Sequence, residues 1–135
     1  MSRQYHTREF IQERIIYVRY AGFEPTEEEF DVYLDDLYEN YQQKERFVII
    51  LDGTDSKYLP SSLRIKQGRW LAEHKQLVID NCISQVFVIP NPVVKMILQG
   101  IFLVQKPLVS YFIFTKKDDA IKKAQELLAA EIASS

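Results

Sequence analysis

The sequence predicts an α/β protein on a mixed, mostly parallel sheet, and two observations carry that expectation. "FVIILD" (47–52) is a continuous apolar run ending in an acid, the pattern of a strand covered on both faces. After an opening pair of strands, every strand-like segment is followed by a helix-like one, in the order β-β-α-β-α-β-α-β-α. Such alternation favours right-handed crossovers between parallel strands, with four helices covering the sheet. At 135 residues the chain fits a single domain spanning 1–135, and no repeat, low-complexity tract or Gly/Ser linker divides it.

The elements follow in order. "QYHTREF" (4–10) and "RIIYVRY" (14–20) are rich in aromatic and β-branched residues and read as an antiparallel hairpin. A helix is expected from Thr26 to Gln42, because Thr26 and Glu29 form an S/T-x-x-E capping box and Phe30, Leu34, Leu37 and Tyr41 recur at helical spacing. After the 47–52 strand, a second helix is expected from Ser61 or Ser62 to about Asp80. It carries Leu63, Trp70, Leu71, His74, Leu77 and Val78 along one side. "SQVFVIP" (84–90) is the next strand, and Asn91 as N-cap with Pro92 at the first helical position opens a third helix to about Val104. "LVSYFIF" (108–114) is the last strand. Thr115 with Asp118 is expected to cap a closing helix lined by Ala120, Ile121, Ala124, Leu127, Leu128 and Ile132.

Composition narrows the function classes. Seventeen basic and nineteen acidic residues are interspersed, giving a formal charge of −2, without the concentrated positive face that a nucleic-acid backbone reader needs. The single cysteine, Cys82, excludes an intramolecular disulfide and a cysteine-based zinc cluster, and suits a reduced, cytoplasmic setting. The first ten residues contain no apolar signal core. The most apolar stretch is interrupted by Lys95, Gln99, Lys106 and Pro107, so no membrane span is expected. A doubly wound nucleotide-binding fold is the alternative topology. Its phosphate loops are missing, since the four glycines at 22, 53, 68 and 100 form neither G-x-G-x-x-G nor G-x-x-x-x-G-K-S/T.

The element order, with "YAG" closing the second strand and "VIILDGTDSKYLPSSL" spanning strand, loop and helix start, resembles the STAS or SpoIIAA-like family. That family includes anti-sigma-factor antagonists and stand-alone STAS/SEC14-type domains. The antagonists have a strand ending in Leu-Asp, then Asp-Ser-Ser-Gly-Leu, whose first serine a partner kinase phosphorylates. Laid on this chain from Leu51–Asp52, the resemblance puts Ser61 at the phosphoserine and Ser62 at the second serine, while Pro60 and Leu63 replace the family's acid and glycine. The carboxyl half, with "LRIKQGRWLAEH", "QVFVIP" and "FIFTKKDDAIKKAQELL", is similar to the stand-alone members. The resemblance implies a SpoIIAA-like fold and a small regulatory or binding module.

Candidate site residues fall in three groups. Ser61 and Ser62, with Arg64 and Arg69 nearby, stand where free N–H groups and the helix dipole can hold phosphate or carboxylate; equally, a serine there can simply cap the helix. Asp52, Asp55 and Lys57 lie beyond the carboxyl end of a strand, where open α/β sheets bind ligands, although Asp and Gly also build turns. No His or Glu at suitable spacing completes an acid–base or metal set with them. The third helix, 93–104, is polar only at Lys95 and Gln99, so Val94, Met96, Ile97, Phe102 and Leu103 belong to a core, a homodimer or partner face, or a pocket wall. His74 and Trp70 fall on an apolar helix stripe and read as core, and Cys82 as a small buried filler.

Together these features predict a non-enzymatic module without cofactor or metal, acting on a protein partner through the 52–60 loop and the start of the second helix. A carrier for a lipid or other apolar small molecule is the second expectation, implied by the SEC14 side of the resemblance. It requires a cavity lined by Val94, Met96, Ile97, Phe102 and Leu103.

Overall fold

A computed structural model describes residues 3–56 and 59–134. Strands β1 (His6–Gln12) and β2 (Ile15–Tyr20) form the expected hairpin, with a bulge between Phe10 and Gln12. Arg14 closes its tight turn at φ 70°, a left-handed conformation that costs a side-chain-bearing residue about 1–2 kcal/mol. Three contacts hold it there. Its Nε donates to the Arg46 carbonyl at 2.8 Å, its guanidinium pairs with Glu45, and its own carbonyl accepts from the Val48 N–H at 3.0 Å.

Helix α1 (Glu27–Asn40) starts as its sequence dictates. Thr26 Oγ1 accepts from the Glu29 N–H at 3.1 Å, and the Glu29 carboxylate accepts from the Thr26 N–H at 2.8 Å. That backbone donor, reinforced by Arg3, holds the Glu29 carboxyl below the usual carboxylate range. Thr26→Ala removes one half of the box and is expected to lower stability by about 1 kcal/mol. A reduced urea midpoint at unchanged slope is the measurement that checks it.

The remaining elements are β3 (Phe47–Asp52), α2 (Ser61–Glu73), α3 (Lys75–Asn81), β4 (Cys82–Val88), α4 (Pro92–Val104), β5 (Tyr111–Phe114) and α5 (Lys117–Ala133). The five strands form one sheet in the order β1-β2-β3-β4-β5, with β1 antiparallel to β2 and β2 to β5 parallel. The mixed, mostly parallel sheet matches expectation, but five helices accompany it instead of four. The second helix divides at His74 (φ −112°, ψ 20°), whose backbone N–H and ring Nδ1–H both donate to the Trp70 carbonyl, at 3.0 and 2.9 Å. The closing helix also starts differently. Lys116 stands at its N-cap without a side-chain bond, so the expected Thr115 cap does not form, and Asp118 and Asp119 sit in the first turn.

Consecutive strand order decides which face each helix covers. Three crossovers of one hand, stepping the same way along a sheet, must all lie on one side of it. Phe30, Tyr33, Leu34 and Leu37 of α1, Leu63 of α2 and Val78 of α3 accordingly pack with Ile16, Val18, Ile49 and Leu51. The opposite face, formed by Ile15, Tyr17, Val48, Ile50, Val86 and Val88, is left to α5, which meets it with Ala120, Ala124 and Leu128. Small alanines let the helix backbone lie close to the sheet. All six residues of β3 are buried because both layers meet on it.

Candidate functional site

The carboxyl ends of β2 and β3 lie side by side, with Arg19 in register with Asp52. Strand alternation turns Tyr17, Arg19, Ile50 and Asp52 to the same face, the one under α5. Asp52 is only 1% exposed. The Tyr17 hydroxyl donates to its Oδ2, while the Thr54 N–H (2.9 Å) and hydroxyl donate to Oδ1, closing an Asx-type turn that bends the chain at Gly53. Burial, and then the neighbouring carboxylate, raise the Tyr17 phenol well above its ordinary pKa. Lys117 of α5 lies over the Tyr17 ring at 4.3 Å. Outside this buried group, Arg19 pairs with Asp55 at 2.7 Å on the surface.

Asp52, expected in the interaction loop, is instead a buried carboxylate that accepts from three internal donors and ties β2 to the β3 turn. Asp55 remains partly exposed through its pair with Arg19. Lys57, the third loop residue, lies outside the described residues. Tyr17, Arg19 and Thr54 complete this cluster and had not been singled out in the sequence. Alternation along "RIIYVRY" would have put Tyr17 and Arg19 on one face, but placing that face over Asp52 needs the β2–β3 register.

The start of α2 lies on the other side of the sheet, since Leu63 is buried against the α1 face. The expected serine cap does not form. Pro60 occupies the N-cap at φ −57° and ψ 152°, and no side chain among the described residues caps the first-turn N–H groups. Ser61 and Ser62 thus stand one and two positions inside the helix, where both are exposed. The Arg64 Nη2 donates to Ser61 Oγ at 3.1 Å. Arg69 is exposed about 12 Å further along the axis, at 1.5 Å per residue, and does not join Ser61. Of the four residues expected here, the fold brings together Ser61 and Arg64, with Ser62 beside them.

Helix α4 is capped by Asn91, whose Oδ1 accepts from Val93 N–H (2.9 Å) and Val94 N–H (3.3 Å). None of its described side chains is fully buried, so the core reading fails for four of the five residues expected here and holds in part for Phe102. Phe102 packs inward, 5.7 Å from Phe87 and 4.5 Å from Tyr111 between ring centroids. Val94, Met96, Ile97 and Leu103 face outward with Val93 and Ile101, so they do not converge with Phe102 on a cavity. A shallow, open groove runs along Ile97, Gly100, Ile101 and Gln105.

The other singled-out residues are structural. Half-buried His74 stacks on Trp70 at 4.5 Å, and Tyr38 meets it edge-on at 5.2 Å. Burial pushes the Cys82 thiol up to about 12, so it is protonated and unreactive at neutral pH. Among the described residues, no three His, Cys, Asp or Glu side chains come together as a metal site, and no helix is long and apolar enough to cross a membrane. Compared with known proteins, the chain matches no family model, no curated protein and no solved structure.

Proposed function

We propose that the chain is a small, non-enzymatic regulatory module of the STAS type that works on a protein partner, with Ser61 as its anion-binding or phosphorylated position. The observation that carries this reading is the start of α2. An exposed serine stands at the first helical position after the β3 loop, with a guanidinium 3.1 Å from its hydroxyl and first-turn N–H groups that no side chain among the described residues caps. A phosphate on Ser61 would bring about −1.5 to −2 charges beside Arg64 and onto the positive end of the helix, and both interactions are favourable. The partly exposed Arg19–Asp55 pair supports the loop as a contact surface.

The non-enzymatic part rests on two engaged groups. Asp52, the carboxylate best placed for acid–base work, is taken up by Tyr17 and Thr54, and Cys82 is held as a thiol. The carrier reading has less support, since its expected wall residues face outward.

Chain purified from its native cells under phosphatase inhibition is expected to carry one phosphate, mapped to Ser61 by peptide mass spectrometry. Ser61→Asp and Ser61→Ala baits are then expected to recover the partner with affinities differing by about fivefold or more. No phosphate on Ser61 together with equal recovery by both baits overturns the proposal.

A further inference from the structure

We infer that the outward face of α4 is a self-association surface, on which a second copy of this chain packs helix to helix about a two-fold axis near Gly100. The first argument is area. Val93, Val94, Met96, Ile97, Ile101 and Leu103 are between 40% and 84% exposed. Six large apolar side chains bared to that degree present on the order of 600 Å², the upper end of the largest patch on a typical monomer and close to the about 800 Å² each partner gives a specific interface. Two such faces together approach the lower limit for a stable dimer.

Gly100 supplies the second argument. At 100° per residue, the half-buried Lys95, Leu98 and Phe102 define the inward side, and Gly100 falls opposite them, between Met96, Ile97 and Leu103. Glycine within a helix costs about 1 kcal/mol relative to alanine. Among the described residues nothing uses the space it leaves, since an added Cβ would meet no atom of another element within 4 Å. A gap at the centre of an apolar face, flanked by Ile97 and Ile101, admits the backbone of another helix, and the flanking side chains become the knobs for an identical gap.

Charge supplies the third. Close to a two-fold axis a residue lies near its own copy, so a charge beside Gly100 would meet its like. The outward stripe carries none, and the only ionisable group of α4, Lys95, lies on the inward side. A face without charge gives no complementarity to a charged partner and no penalty for self-pairing.

The test uses the full chain. Sedimentation equilibrium at micromolar concentration is expected to give twice the 15.9 kDa chain mass. Ile97→Asp is expected to raise the dissociation constant at least about 100-fold, by placing two buried carboxylates across the axis. Gly100→Cys adds an exposed thiol to a chain whose natural cysteine, Cys82, is buried. In a glutathione redox buffer it is expected to form an intermolecular disulfide, which requires two Cα atoms within about 4.4–6.8 Å. Gly68→Cys, at the open glycine of α2, serves as the control and is expected to stay monomeric on a non-reducing gel. A wild type that remains monomeric at high concentration, or a dimer indifferent to Ile97→Asp and uncrosslinked at position 100, overturns the inference. Monomer that instead cosediments with phosphatidylcholine vesicles through this face also overturns it.

Discussion

Asp52→Ala is expected to destabilise the protein by about 3 kcal/mol, the largest effect of any polar substitution at the carboxyl edge of the sheet. The carboxylate is 1% exposed and accepts from the Tyr17 hydroxyl and from the N–H and hydroxyl of Thr54. Removing it strands the buried Tyr17 donor, which costs about 1–3 kcal/mol, and dissolves the turn that starts the 52–60 loop. Asp52→Asn separates charge from shape. Asparagine Oδ1 still accepts from Thr54, and the Tyr17 oxygen can accept from the amide, so a loss of only about 1 kcal/mol is expected. Tyr17→Phe should fall between the two, since it removes one donor from a charged acceptor worth about 1.5–3 kcal/mol. Urea unfolding of the three variants, with Asp52→Ala/Tyr17→Phe closing a double-mutant cycle, measures the coupling. If Asp52→Ala shifts stability by less than about 0.5 kcal/mol, the carboxylate is not the tie between β2 and β3 described here.

That tie illustrates what the sequence shows and what it hides. The apolar run of β3, the capping box of α1 and the stripe Phe30, Leu34, Leu37 and Tyr41 are local signals, and all of those side chains are buried where periodicity puts them. Tyr17 and Asp52 are 35 residues apart, and their bond exists only because β2 and β3 are parallel neighbours with Arg19 opposite Asp52. No window of sequence holds that information. Helix α2 starts at Ser61, one of the two expected positions, but its cap falls on Pro60 ahead of both serines for a local reason. A proline fits the fixed φ of the first helical position, but its ψ of 152° here makes Pro60 the last extended residue and carries both serines into the helix. The division at His74 has no glycine or proline to announce it. It becomes visible only when the imidazole is seen bonded to the Trp70 carbonyl.

The second large effect separates two helices that look equally apolar in sequence. Phe30→Ala in α1 is expected to cost about 3–5 kcal/mol, because its ring is 1% exposed, lies 6.1 Å from Tyr5 and 5.5 Å from Tyr33, and would leave a cavity its neighbours cannot close. Leu103→Ala in α4 removes a comparable apolar side chain that is 84% exposed. Its transfer from water has not occurred within one chain, so the expected change is within about 0.5 kcal/mol when unfolding is followed at nanomolar concentration. At concentrations where copies associate, the same substitution should lower stability and make the midpoint less dependent on concentration, since ligation by a second copy adds to folding by mass action. A loss above about 2 kcal/mol at high dilution would mean that the chain covers this face itself. The hydrophobic pattern states how much apolar surface a helix carries, and the concentration dependence of this variant decides whether that of α4 is covered by a second copy.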